Sequence, residues 1–89
     1  MTNMNIRQSV LAALDQTCGL MDRPSLAPIA LSGGDFSLSD LDIDSLSTYE
    51  IIMLLENEFG IDIPPIALAS ATSLGDLVAA VTHAVQTKA

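Results

Sequence analysis

Cations are the scarcest resource in this chain: Arg7, Arg23 and Lys88 are the only three among 89 residues, against 11 Asp and Glu, for a net charge of −8. Binding along a nucleic-acid backbone needs clustered Lys and Arg, and residues 24–87 contain none, so nucleic acid is excluded as a partner. Aromatics are also few, with no Trp, one Tyr and two Phe, and β-branched runs are short, so no sheet is expected. A single Cys18 excludes an internal disulfide and fits a reducing cytoplasm. The longest aliphatic run, Ile51–Leu55, falls far below the roughly 18 residues a membrane span requires. No basic, then apolar, then small-residue segment opens the chain as a signal peptide would. A chain of this length also has no room for a deep catalytic cleft, which argues against an enzyme.

What is present is enough to fold. Hydrophobic residues make up 49% of the chain and mean hydropathy is +0.46, which excludes disorder. The acidic residues are gathered: Asp35, Asp40, Asp42, Asp44, Glu50, Glu56, Glu58, Asp62 and Asp76 all lie in the stretch without a cation. Such a flank steers the protein toward basic protein surfaces, although net charge of this size also serves plain solubility.

Periodicity predicts four helices. Ile6, Val10 and Leu14, with Leu11 and Ala13, give the first, with Asn3 or Asn5 able to cap its start and Gly19 its end. From Cys18 to about Ile43 the pattern breaks at Pro24, Pro28 and Gly33-Gly34, and reads as a long ordered loop anchored by Phe36, Leu38 and Leu41. Asp44 or Ser45 begins the second helix, which runs to Phe59 and is stopped by Gly60 and Pro64-Pro65. Ile66–Ala69 forms a short third. Leu74, Leu77, Val78, Val81 and Val85 stripe the fourth, with Ser73 and Asp76 spaced as a capping box. The expected architecture is therefore an all-α four-helix bundle, one domain over residues 1–89, with a long loop after the first helix and a short third helix. The opening Met and the lack of long linker tails favour a free-standing protein, and a monomer is expected.

The second helix carries two apolar stripes. Thr48, Ile51, Ile52, Leu55 and Phe59 share the ordinary core-facing side. Leu46, Tyr49 and Met53 lie roughly 145° away on the helical wheel, flanked by Glu50 and Glu56. Either the helix is packed on both sides, or the second stripe is a docking strip whose carboxylates orient a basic partner. At the start of this helix, Ser45 follows Leu41-Asp42-Ile43-Asp44. A serine there lies beside unpaired N–H groups and the positive end of the helix dipole, a favourable place for a phosphate ester, while the ordinary role for Asp44 or Ser45 is simply the N-cap.

The segment Asp44-Ser45-Leu46, continuing through Tyr49-Glu50-Ile51-Ile52-Met53 to Phe59-Gly60-Ile61-Asp62-Ile63-Pro64, resembles the acyl carrier protein family, in which Asp-Ser-Leu opens the second helix and a Phe and an Ile-Pro pair close it. The likeness is close over residues 41–64, and helix order extends it across nearly the whole chain. It implies a carrier without catalytic activity, in which a phosphopantetheinyl transferase uses coenzyme A to attach 4'-phosphopantetheine to Ser45, with Asp44 and Leu46 beside it. Asp44, Glu50 and Glu56 then match partner-binding carboxylates, and Leu46, Tyr49 and Met53 the apolar contact strip, for acyl-loading, condensing and modifying enzymes with basic docking surfaces. Three positions depart from the family pattern: Asp42 stands where Gly is usual, Ser47 replaces a common acidic residue, and Pro65–Ala69 lacks the carboxylates typical of primary fatty-acid carriers. The last favours polyketide or mixed polyketide-peptide assembly, with fatty-acid type synthesis kept as an alternative. A peptidyl or aminoacyl carrier shares the same arm, and a non-covalent acidic adaptor would use the strip without it.

Other chemistries fail on residue counts. Asp40, Asp42 and Asp44 imitate the first ligands of a calcium EF-hand, but Ser45 occupies the required Gly position and Ile51 the bidentate Glu position, so no metal is expected. A Ser/His/Asp hydrolase would depend on His83, the only histidine, and no nucleophile elbow surrounds Ser45. Ser32-Gly33-Gly34-Asp35 is too short for a phosphate-binding loop and lacks its Lys. Cys18 reads as a small apolar residue closing the first helix.

Overall fold

A computed structural model of the chain describes residues 4–88. Three helices of 15 residues each form the body: α1 (Met4–Cys18), α3 (Ser45–Phe59) and α5 (Leu74–Lys88). Two helices of six residues, α2 (Ala27–Ser32) and α4 (Pro65–Ser70), and 3₁₀ turns at Leu20–Asp22 and Leu38–Leu41 complete it. Among the described residues there is no strand, only one isolated bridge between Ser37 and Ser73. No described helix is long and apolar enough to cross a membrane.

The four predicted helices correspond to α1, α3, α4 and α5. The Cys18–Ile43 connection is more structured than the loop the sequence suggested. Pro28 near the start of α2, where a missing N–H is harmless, and Gly33 at its end, with φ 89°, mark a helix too short for the apolar period to register. Asn3 lies outside the described residues, and Asn5 falls inside α1 rather than before it.

Helical periodicity becomes a core where α1 packs on α3 and α5, and α4 packs on α3 and α5. Val10, Leu14, Ile51, Leu55, Leu74 and Val81 are essentially inaccessible to water, and the expected anchors Phe36, Leu38 and Leu41 bring the first connection into the same cluster. Each such side chain contributes about 1.5–3 kcal/mol of burial. Thr48 and Phe59, placed on the core stripe by the wheel, are only half-buried at its ends. No buried polar or charged side chain interrupts the core among the described residues.

Polar contacts then fix the connection. Leu38 N–H donates to Thr72 O (3.0 Å), Leu74 N–H to Phe36 O (2.9 Å), and Gly75 N–H to Asp35 Oδ1 (2.9 Å). Arg7 Nη2 donates to Ala30 O (3.1 Å) and Gly34 O (2.8 Å), tying α1 to the end of α2. At the start of α5, Ser73 Oγ accepts from Asp76 N–H (3.1 Å), while the Asp76 carboxylate reaches back to the N–H and hydroxyl of Thr72, one residue earlier than the reciprocal bond of an ideal capping box. Gly60, at φ 64°, closes α3 with a bond from its N–H to Glu56 O (2.7 Å), a conformation that costs glycine no Cβ clash.

Candidate functional site

The first turn of α3 decides which residue caps the helix and which is left free. Asp44 is the cap: extended at φ −103°, ψ −175°, it accepts Ser47 N–H at Oδ1 (2.8 Å), and its carbonyl takes the Thr48 N–H (2.9 Å) and hydroxyl (2.8 Å). The Ser47 N–H, and next its hydroxyl, hold the Asp44 carboxyl below the usual carboxylate range, so the cap is charged at neutral pH. Ser45 is thereby relieved of capping. It is exposed at the first helical position, and among the described residues its hydroxyl takes part in no hydrogen bond. Its backbone N–H belongs to the first-turn set that no helical carbonyl can satisfy.

That arrangement suits a phosphate ester. The helix dipole favours negative charge at Ser45 Oγ, and the serine can be derivatised without removing a cap from the fold. Asp42, Ile43 and Thr48, two to three residues from Ser45 in sequence, help line an open depression of about 580 Å³ between the second 3₁₀ turn, the start of α3 and the end of α4, together with Ser39, Leu68 and Thr72 among others. The space and the polar and apolar lining are compatible with a flexible arm leaving Ser45.

Along α3 the second apolar stripe faces solvent. Leu46 is 69% exposed, Tyr49 58% and Met53 59%, so the helix is not packed on both sides. Glu50 is exposed beside the stripe. Glu56 differs: half-buried, it accepts Ile63 N–H at Oε2 (2.8 Å) and so braces the segment following α3, although its charge remains on the same flank. Ile66 on α4, 68% exposed, is a further large apolar residue the wheel of α3 could not have revealed. Leu31 on α2 is another, at 75%.

The lead-in to Ser45 contains the departure noted in the sequence. Asp42 has φ 55° and ψ 45°, and is the only non-glycine residue with positive φ among those described. The left-handed turn that Gly would favour is thus made with Asp, whose short polar side chain tolerates it better than most. Sequence reasoning missed the residue that braces this turn. Arg23 Nε donates to Cys18 O (3.3 Å), Nη1 to Asp40 O (3.1 Å) and Nη2 to Leu41 O (3.3 Å), and Nη1 lies 3.9 Å from Asp42 Oδ2. The available signal was its isolation, as the only cation in the chain's long middle stretch. Arg7 and Arg23 both turn toward backbone carbonyls, and among the described residues no salt bridge reaches the acidic side chains of α3. His83 is exposed on α5.

The family model described as "Phosphopantetheine attachment site" matches residues 10–81. The chain is similar to the acyl carrier protein of Picosynechococcus sp., 49% identical over 41 residues, covering 46% of this chain and 51% of that protein. It is also similar to the acyl carrier protein of Sinorhizobium fredii and to acyl carrier protein AcpP of Rhizobium meliloti, each 44% identical over 48 residues, covering 54% of this chain and 62% of theirs. The match thus spans about half to three-fifths of the length of these relatives. No solved structure matches the chain.

Proposed function

Since the chain belongs to the phosphopantetheine attachment site family, whose members carry that group covalently, we propose that Ser45 is its attachment point and that this protein is an acyl carrier acting as one domain. The observation that carries the reading is the division of labour at the head of α3: Asp44 caps the helix, and Ser45 Oγ stands exposed and unbonded beside it. When bound, 4'-phosphopantetheine supplies a terminal thiol that holds acyl groups as thioesters. The chain's own residues present it. Ser45 Oγ would give its proton to a base of the phosphopantetheinyl transferase and form the ester bond to the pantetheine-bearing phosphorus of coenzyme A, as the phosphoanhydride breaks and adenosine 3',5'-bisphosphate leaves. The N-terminal dipole of α3 favours the resulting charge. Asp44 keeps the first turn in register without using the serine hydroxyl.

Leu46, Tyr49 and Met53 form the contact strip for the transferase and for acyl-loading, condensing and modifying enzymes, and Asp44, Glu50 and Glu56 set an acidic field that steers basic docking surfaces toward it. Steering of this kind raises association more than it slows release, as a shuttle requires. The uncharged α4, Pro65–Ser70, with Ile66 exposed, supports a dedicated assembly system of polyketide or mixed polyketide-peptide type over primary fatty-acid synthesis. The cytoplasm, where coenzyme A and reducing conditions coincide, is its proposed place of action.

The test is intact-protein mass after incubation with coenzyme A and a broad-specificity phosphopantetheinyl transferase. The chain is expected to gain one phosphopantetheine, and the Ser45→Ala variant none. A folded, initially unmodified chain that gains nothing would turn the assignment toward a non-covalent adaptor. Loading the holo protein with acyl rather than aminoacyl groups by candidate partner enzymes then tests the cargo.

A further inference from the structure

The backbone that delivers Ser45 to the surface is short: Asp42, Ile43 and Asp44 join the end of the second 3₁₀ turn to the first residue of α3. On the turn side, Leu41 is buried in the core, and the carbonyls of Asp40 and Leu41 point out of the end of a helical turn, where no further turn accepts them. The guanidinium of Arg23 takes both, at 3.1 and 3.3 Å, and also reaches Cys18 O, the last residue of α1, at 3.3 Å. One side chain therefore joins three carbonyls from two segments that are 22 residues apart in sequence at their nearest bonded positions, Cys18 and Asp40. Among the described residues no other side chain bonds these carbonyls, and Arg7 bonds Ala30 and Gly34 instead.

We propose that Arg23 is a positioning residue for the modification of Ser45. This rests on Ser45 being the attachment point. Arg23 acts through the backbone: by holding Asp40 and Leu41 it fixes where the left-handed turn at Asp42 begins, hence the direction in which the chain enters α3, and with it the orientation of Ser45 Oγ relative to the Asp44 cap. It also places a positive charge 3.9 Å from the Asp42 carboxylate, at the turn itself. The planar fork with its five donors is what allows three carbonyls to be held at once; the point charge of a lysine keeps the electrostatic part and loses the geometry. The ion pair to Asp42 is the lesser component, since the atoms are 3.9 Å apart and the carboxylate is 86% exposed.

The experiment measures phosphopantetheine transfer at saturating coenzyme A over a range of carrier concentrations, for the chain as it stands and for Arg23→Gln, Arg23→Lys and Asp42→Asn. Because the docking strip is untouched, Arg23→Gln should lower kcat about tenfold with KM changed by less than about twofold, a moderate misplacement given that an error of about 1 Å can cost about a hundredfold. Arg23→Lys should recover only part of the loss. Asp42→Asn, which keeps the carbonyl bonds and a residue tolerant of the left-handed region, should stay close to the unaltered chain. Asp35→Ala, which removes the bonds from the Phe36 and Gly75 N–H groups and none of the Arg23 contacts, controls for lost stability, and amide NMR of Ser45 and Leu46 reports the reorientation directly. A folded Arg23→Gln variant with unchanged kcat and unchanged Ser45 amide shift would overturn the positioning role while leaving the attachment site intact. So would full rescue by lysine, or an equal fall in Asp35→Ala. Absence of any transfer to Ser45 in the unaltered chain would remove both proposals together.

Discussion

Replacing Asp42 by glycine and, separately, by valine isolates the cost of the left-handed turn three residues before Ser45. Asp42 sits at φ 55°, a region that costs an ordinary L-residue about 1–2 kcal/mol and a β-branched one at least the upper part of that range. Both substitutions remove the 3.9 Å ion pair to Arg23, so that contribution, about 0–1 kcal/mol for so exposed a carboxylate, cancels in their difference. Glycine gains the left-handed conformation freely but loses about 0.5–1 kcal/mol to the greater freedom of the unfolded chain. Valine is therefore expected to be less stable than glycine by about 1 kcal/mol, and glycine to lie within about 1 kcal/mol of the unaltered chain. Urea unfolding followed by circular dichroism reads this directly: with a slope near 1 kcal/mol per molar, the midpoints of the two variants should differ by about 1 M. If valine equals or exceeds glycine in stability, residue 42 does not hold the left-handed conformation in solution, and the account of how the chain enters α3 fails.

Two further outcomes follow from the site and its caps. Asp44 and Asp76 have folded-state pKa values below the ordinary carboxyl value, through bonds chiefly from Ser47 N–H and the Thr72 hydroxyl respectively, so the folded protein binds their protons less readily than the unfolded chain does. Their contribution is fully present above the unfolded value of about 3.9 and is lost as pH falls through the lowered folded values. The double variant Asp44→Asn/Asp76→Asn should accordingly show a smaller drop in Tm between about pH 5 and pH 3, and equal drops would contradict the charged caps. On the docking strip, Met53→Ala should weaken binding to the transferase and raise its KM while stability changes by less than about 0.5 kcal/mol, as for other exposed positions. Leu31→Ala, even more exposed but on α2, should leave binding unchanged, and added salt should weaken binding of the unaltered chain.

Much of the site was legible before any tertiary contact was known, and the exceptions share a pattern. The extent of α3, its closure at Gly60 and the two stripes follow from rules spanning four residues or fewer. The assignment of the cap did not: both Asp44 and Ser45 have the right chemistry, and only the backbone angles show Asp44 extended and Ser45 helical. The helical wheel gave Leu46, Tyr49 and Met53 a direction but not a neighbour, so it could not say whether protein or water lay there. Glu56 had the spacing of a rim carboxylate, yet a bond to Ile63, seven residues on, draws it partly inward.

The sequence by itself determined the helical class, the three long helices, the acidic flank and the candidacy of Ser45, because each rests on local hydrogen bonding, a 3.6-residue period or a simple count of charge. Only the tertiary structure decided that the second stripe is open to solvent, that the first connection folds α2 and two 3₁₀ turns against the core, and that Arg23 braces the lead-in to Ser45. Those facts depend on which carbonyls and side chains meet across long separations, as in the bond between Asp35 and Gly75, 40 residues apart, and no local period encodes such meetings.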